Sequence, residues 1–201
     1  MSYVLHSEKE IAIFKGIIAL MEKGANPYSI KVSDIAKEAD VGKGTIYDYF
    51  DSKEEAISQA ILFNMKGEME SAYSRIKDKD SFKEKFYEAM HIIAQCVDNV
   101  STFSMLLSVG GIQEFYEYLS DYKCDLSEHV SRINELYDHL LEIGVREGVI
   151  ARVGSKYYQT MAISSAIMGF AQYFGQRNFD HDIKIEEAMA ASYKLLVKAL
   201  N

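Results

Sequence analysis

Hydrophobic residues recur along most of the chain at intervals of three and four positions, the spacing that lines one face of an α-helix. The first such run consists of Ile11, Phe14, Ile18 and Met21. Strand-like alternation of apolar and polar residues is nowhere sustained. Helix-breaking residues are scarce, since Pro27 is the single proline among 201 residues. The pattern therefore predicts an all-α fold.

Three Ser-x-x-Glu sequences precede periodic runs, and each is typical of a helix amino terminus. They begin at Ser7, Ser52 and Ser81. In such a capping box the serine oxygen accepts from the amide three residues on, and the glutamate carboxylate accepts from the serine amide. The first helix is expected to end at Gly24, because glycine commonly follows a helix carboxyl terminus. The second is expected to continue to about Ile76.

Three further helices are predicted in the second half of the chain, at about 126–144, 157–174 and 185–200. The last two carry wide apolar faces, and Ala166 and Gly169 give one of them a small-residue face that another helix can approach closely. Such faces become buried against each other or against a second copy of the chain.

Residues 31–53 predict two short helices joined by a tight turn. Ser33 is expected to be the N-cap of the first helix, which runs through Ala39. Asp40 lies where the chain has to reverse, and Val41 is expected to be buried in the turn.

The second short helix is expected from about Lys43 to Phe50, with Ile46 and Phe50 facing inward. This arrangement is a helix-turn-helix, whose second helix enters the major groove of DNA. The side chains left outward are Lys43, Thr45, Tyr47 and Tyr49.

Over residues 11–61 the chain resembles the TetR family of transcriptional regulators. Asp40 and Gly42 stand where that family usually has glycine and serine, and neither change is expected to undo the motif, since Asp tolerates a left-handed backbone better than most residues. The motifs that carry the resemblance are Ile35-Ala36, Ala39-x-Val41, Lys43-Gly44-Thr45-Ile46-Tyr47-x-Tyr49-Phe50 and Ser52-Lys53-Glu54-Glu55.

The resemblance implies a three-helix DNA-binding domain over residues 1–51 and a larger helical domain over 52–201. It also implies a homodimer, formed by the last two long helices, that binds a palindromic operator in double-stranded DNA. Lys43, Gly44, Thr45 and Tyr47 would then meet the groove or its walls. Tyr49 and Lys53 would hold phosphates, and Ser33 is a further candidate DNA contact.

The resemblance further implies a repressor that releases DNA when a small-molecule effector tilts the helix beginning at Ser52. We expect this effector to be apolar or amphipathic, because methionine and aromatic side chains make an adaptable pocket. Plain core packing is the alternative role for these side chains. The candidate pocket residues are Phe63, Met90, Phe103, Tyr137 and Met168.

The charge of the candidate DNA-binding region is unusual for a protein that binds DNA. The whole chain has a formal net charge of -8, and residues 1–53 contain seven lysines, no arginine and eight acidic residues, for a net charge of -1. DNA-binding domains usually carry a positive patch. Affinity must therefore come from a few well-placed contacts, and a helical adaptor that uses the same fold to bind protein stays open as the alternative.

The chain shows no catalytic motif: its five histidines lack metal-ligand spacing, and neither a glycine-rich phosphate loop nor a G-x-S-x-G sequence occurs. We therefore expect no enzyme, no cofactor and no metal, and interpret Asp180-His181-Asp182 as a solvated turn. Cys96 and Cys124 have neither zinc nor disulfide-framework spacing. With no apolar stretch of roughly 18 residues and no leader pattern, we expect a cytoplasmic protein without membrane contact.

Overall fold

The computed structural model describes residues 6–98, 127–176 and 183–201. Every helix and turn within these ranges belongs to an all-α architecture, which confirms the fold class. The later predicted helices are found with their ends within two residues of the expected positions. The helices are α1 (Glu8–Glu22), α2 (Val32–Glu38), α3 (Lys43–Tyr49), α4 (Lys53–Lys77), α5 (Phe82–Asp98), α6 (Ser127–Arg146), α7 (Lys156–Gln176) and α8 (Ile185–Ala199).

Capping boxes form at two of the predicted helix starts. Before α1, the Glu10 amide donates to Ser7 Oγ at 3.2 Å and the Ser7 amide donates to the Glu10 carboxylate at 2.7 Å. Before α5, the corresponding bonds between Ser81 and Glu84 measure 3.2 and 3.0 Å. The serine amides stabilise the ionised carboxylates and so lower the pKa of both glutamates. These two helices therefore begin where the local sequence places them.

The third predicted start differs in one bond. The Glu55 amide donates to Ser52 Oγ at 3.0 Å, as a capping box requires. The Glu55 carboxylate, however, accepts from the Asp51 amide at 2.6 Å. Helix α4 therefore begins at the expected place, with its first turn also bonded to the residue that precedes the cap.

Among the described residues, those up to Glu68 form one compact unit. Its core consists of fully buried side chains from all four helices, and Phe14 of α1 packs on Phe50 and Phe63 with ring centroids 5.6 and 5.2 Å apart. The first turns of α4 thus pack with α1 to α3. The structural division falls after Glu68, within α4, whereas the functional division at residues 51 and 52 stays a prediction.

The second compact unit comprises Met69–Asp98 together with the described residues after 126. Here α7 and α8 pack against each other in antiparallel order. Ser192 Oγ donates to the carbonyl oxygen of Ala166 at 2.6 Å, and the Tyr158 hydroxyl donates to that of Ala199 at 2.9 Å. The two apolar carboxyl-terminal helices therefore bury part of their surface within one chain.

A buried lysine holds the carboxyl-terminal end of α4. Lys85 is only 4% exposed, and its Nζ donates to the carbonyl oxygens of Ile76 at 3.2 Å, of Lys77 at 2.7 Å and of Lys79. The last carbonyls of a helix lack intrahelical partners, and a cation is favoured at that end. Lys85 supplies both the donors and the charge, so the end of α4 is fixed to α5.

Candidate nucleic-acid interface

The chain reverses between α2 and α3 through a left-handed residue, as the sequence predicted. Asp40 has φ 52°, and the Val41 amide donates to the carbonyl oxygen of Ala36 at 2.9 Å. The Asp40 amide donates to that of Lys37 at 3.4 Å, which completes the pattern of a Schellman helix end. Aspartate is one of the few residues other than glycine that adopt this conformation readily. The turn of the helix-turn-helix is therefore formed despite the absence of glycine.

Close contact between α1 and α2 fixes the first helix of the motif. A Cβ placed on Gly16 of α1 would lie 3.0 Å from both the Cβ and the backbone nitrogen of Ala39. The helix that Ala39 approaches closely is therefore α1. The requirement for glycine at position 16 was not among the predictions, because a long-range approach leaves no local signal in the sequence.

Helix α3 is anchored on one side and exposed on the other. Ile46 and Phe50 are buried, whereas Tyr47 is 56% and Tyr49 is 39% exposed. Thr45 is half-buried and so is less outward than predicted. The remaining exposed residues of the helix are Lys43, Gly44 and Asp48. The helix thus presents a lysine, a glycine, an aspartate and two tyrosines to solvent, a composition suited to reading a DNA groove.

Two predictions about the first helix and the turn are wrong. Ser33 is not the N-cap of α2, since the helix begins at Val32 and Lys31 occupies the cap position without a side-chain bond. The Ser33 hydroxyl instead donates to Asp34 Oδ1 at 3.4 Å. Val41 is half-buried and not fully buried, because its backbone amide rather than its side chain closes the turn. The Ser33 prediction misses the cap by two residues, and the Val41 prediction gives the side chain a role that the amide of the same residue has.

Lys53 is the first residue of α4 and follows directly on α3. Its Nζ lies 3.2 Å from a carboxylate oxygen of Glu54. The position is at a helix amino terminus, where unpaired amides and the helix dipole favour a negatively charged group such as a phosphate. Ser52 fixes this amino terminus through the cap described above, so the backbone around Lys53 is held in place without any ligand.

Comparison with protein families identifies the helix-turn-helix formed by α2 and α3. Residues 19–59, which include the end of α1, all of α2 and α3 and the start of α4, match the family of bacterial regulatory proteins of the tetR family. Residues 19–59 form a TetR-family helix-turn-helix region. No curated protein sequence matches the chain.

Solved structures extend the TetR-type likeness to the whole chain. The fatty acid degradation regulator FadR from Bacillus halodurans has a TM-score of 0.67 at 16% identity, over 96% of both chains. FadR from Bacillus subtilis, solved in complex with stearoyl-CoA, has a TM-score of 0.63 at 18% identity, over 95% of this chain and 99% of that one. The TetR family regulator PfmR from Thermus thermophilus has a TM-score of 0.56 at 21% identity, over 94% and 98%. At these identities the likeness shows a TetR-type fold.

The candidate pocket residues that the structure describes are distributed over the two compact units. Phe63 packs with Phe14 in the first unit, whereas Met90 and Tyr137 belong to the second. Met90 is fully buried, and burial raises the pKa of the Tyr137 phenol. Met168 is 40% exposed on α7. Phe103 lies outside the described residues, as do Cys124 and the Asp180-His181-Asp182 sequence.

The ranges that the structure describes contain neither a candidate membrane span nor a candidate metal site. No described helix combines the length and apolar character needed to cross a bilayer. No three acidic, histidine or cysteine side chains in these ranges are grouped so that they could hold a metal ion.

Proposed function

We propose that this protein is a transcriptional repressor that binds a palindromic DNA operator as a homodimer and releases it when a small apolar or amphipathic effector binds. The observation that carries the proposal is the TetR-family match over residues 19–59, together with the exposed outer face of α3 in that region. A helix-turn-helix dimer reads two half-sites with its paired second helices.

The exposed groups of α3 have the chemistry that the major groove requires. Lys43 can donate to guanine O6 or N7, and the Thr45 methyl group can contact a thymine methyl. Tyr47 is exposed beside them. Tyr49, Lys53 and Ser33 are the proposed phosphate contacts, which set the register of the protein on DNA. Gly44 completes the set, since the space next to its Cα is open and the backbone can approach the bases.

Exposed apolar side chains support the proposed dimer. Leu195 of α8 is 62% exposed, and Tyr157, Met161 and Met168 of α7 are exposed as well. Several large apolar side chains exposed on two neighbouring helices are typical of a protein interface. In a two-fold dimer the same helices of both copies pack together. We therefore propose α7 and α8 as the dimer interface, with Met168 acting there rather than in a pocket.

The proposed effector site lies in the helical region after the helix-turn-helix. Met90 and Tyr137 support it best, because one is fully buried and the other is buried enough to shift its phenol pKa. FadR from Bacillus subtilis, with a similar fold, was solved with stearoyl-CoA, so a long-chain acyl-CoA is the first effector to test. An effector can release DNA only by binding the DNA-incompetent arrangement more tightly, with a coupling of about 1–3 kcal/mol.

The first experiment is selection of bound fragments from random DNA by the purified protein at low, stated salt. We expect a palindrome whose half-site centres are about one helical turn apart or more. Affinity for it should fall with salt, with a slope of about -0.9 per phosphate contact in a plot of log K against log salt concentration. Recovery of no specific sequence, with and without stearoyl-CoA, would contradict the proposal.

Two substitutions separate a regulator from a protein-binding adaptor. Tyr47→Ala and Lys53→Ala should each abolish binding to the selected operator while the helical content and thermal stability stay unchanged. Lys184→Ala is the matched control, since Lys184 is an exposed lysine at the start of α8 and not near residues 31–53 in sequence. Equal binding by all three variants would favour the adaptor, for which the net charge of -1 over residues 1–53 is the supporting observation.

A further inference from the structure

The centre of the outward face of α3 is occupied by a glycine and an aspartate. Ile46 is fully buried and marks the inward direction of this helix. Successive residues of an α-helix are about 100° apart, so positions two before and two after Ile46 point to the opposite side. These are Gly44 and Asp48, and both are exposed. Lys43, Tyr47 and Tyr49 flank this line.

Asp48 lies one helical turn after Gly44 on the same face of α3. Helical side chains lean toward the amino terminus of their helix, so Asp48 covers the turn that precedes it. A Cβ built on Gly44 would meet no atom within 4 Å. The short aspartate side chain can therefore reach a base edge only if the helix backbone enters the groove deeply, and glycine one turn earlier on the same face permits that depth.

A carboxylate at this place is selective, because it can only accept hydrogen bonds. The phosphates that line the groove repel it, and so do the guanine and thymine acceptors. Two bases offer a donor in the major groove: the cytosine amino group at N4 and the adenine amino group at N6. Adenine also presents its N7 acceptor beside that donor, and this acceptor repels a carboxylate. Cytosine N4 has no such neighbour, and aspartate is a known acceptor for it.

We infer that Asp48 is a specificity-determining residue that selects a cytosine in each operator half-site by accepting a hydrogen bond from its N4 amino group. The inference rests on the proposed function, since it names the base that the same helix reads. In a region whose net charge is -1, this carboxylate also lowers affinity for DNA that lacks the amino group at that position. Asp48 therefore lowers affinity for DNA in general and raises selectivity for sites with a cytosine at that position.

The test compares fragments selected by the wild-type protein with those selected by Asp48→Ala and Asp48→Asn. The wild type should show one cytosine position per half-site, and replacing that cytosine should weaken binding by about five- to tenfold or more. Asp48→Ala should lose the preference at that position while binding random DNA more tightly. Asp48→Asn should change the preference to adenine, because an amide can pair with adenine N6 and N7.

Asp34→Asn is the matched control. Asp34 is an exposed carboxylate on α2, so its substitution removes the same charge from the same region. It should raise affinity for all sequences to a similar extent and leave every base preference in place.

Three results would overturn the inference. If both Asp48 variants select the wild-type palindrome with unchanged base frequencies, Asp48 does not read a base, and the proposed regulator stands without it. If Asp34→Asn changes the same base preference, the effect belongs to charge and not to a base contact. If the wild type selects no palindrome, the proposed function fails and the inference fails with it.

Discussion

The two compact units of this chain present different surfaces to solvent. In the first unit, the exposed face of α3 carries polar residues and two tyrosines, among them Lys43, Tyr47 and Asp48. In the second unit, α7 and α8 expose large apolar side chains such as Tyr157 and Leu195. A polar face is well hydrated when no partner is bound. An apolar face exposed to water is unfavourable in free energy and favours association. The difference teaches that the first surface suits a ligand bound reversibly, and the second suits a lasting contact.

The largest expected effect comes from removing one buried aromatic ring from the core of each unit in turn. Phe14→Ala removes a fully buried ring of the first unit, and Phe86→Ala removes one of the second. Each should lower the free energy of unfolding by about 3–5 kcal/mol, measured by urea denaturation.

The functional consequences should separate the units. Phe14→Ala should weaken operator binding more than self-association, and Phe86→Ala should do the reverse. Loss of both properties to the same degree in both variants would show that the two units unfold together.

A charge placed on the apolar face tests its role as an interface. Leu195→Arg should dissociate the proposed dimer, because each interface would contain two new arginines among apolar side chains. We expect the dimer dissociation constant to rise by about 100-fold, the equivalent of about 2–3 kcal/mol at a central interface residue.

Sedimentation velocity over a range of protein concentrations measures this change. Lys194→Ala, at the neighbouring exposed position, is the control and should leave association unchanged. A dimer that persists with Leu195→Arg would place the interface elsewhere.

An intermediate effect is expected from removing the buried lysine at the end of α4. Lys85→Met keeps most of the side-chain volume but leaves the carbonyls of Ile76, Lys77 and Lys79 without their charged donor. The expected loss is about 1–3 kcal/mol in the free energy of unfolding. Thermal melting measures it, with Lys83→Met as the control, since Lys83 lies near the Tyr87 and Tyr193 rings and contributes no such cap. Equal losses in both variants would show that the cap contributes little.

The smallest effects concern acid stability, and they occur in different pH ranges for the two units. In the second unit, burial, followed by the nearby Lys85 and Lys77, lowers the pKa of His139 below its usual value of 6.5. As the pH falls, the His139 imidazole therefore binds a proton in the unfolded chain at a higher pH than in the folded chain. The free energy of unfolding falls as the pH drops below about 6.5. In the first unit, the lowered pKa of Glu10 means that its contribution is present above 4.5 and is lost below that value.

His139→Gln should therefore remove part of the stability change between about pH 7 and 5, and Glu10→Gln part of the change below pH 4.5. Melting temperatures over a pH series measure both. If each variant follows the wild-type curve, neither group contributes to the pH dependence.

The sequence alone determined the starts of α1, α4 and α5, the left-handed turn and the anchored face of α3. Each of these depends on residues within four positions of one another: the serine caps of α1, α4 and α5, Asp40 in the turn, and Ile46 with Phe50 inside. Local hydrogen bonds and helical spacing act in the same way wherever the segment lies in the fold, so they can be predicted from the segment.

Only the tertiary structure decided which distant residues meet. Gly16 is required because Ala39 approaches it, Phe63 packs with Phe14, and Lys85 binds the carbonyls that end α4. Such contacts depend on where two segments are placed in space, and helical periodicity specifies which face of a helix is buried but not what covers it.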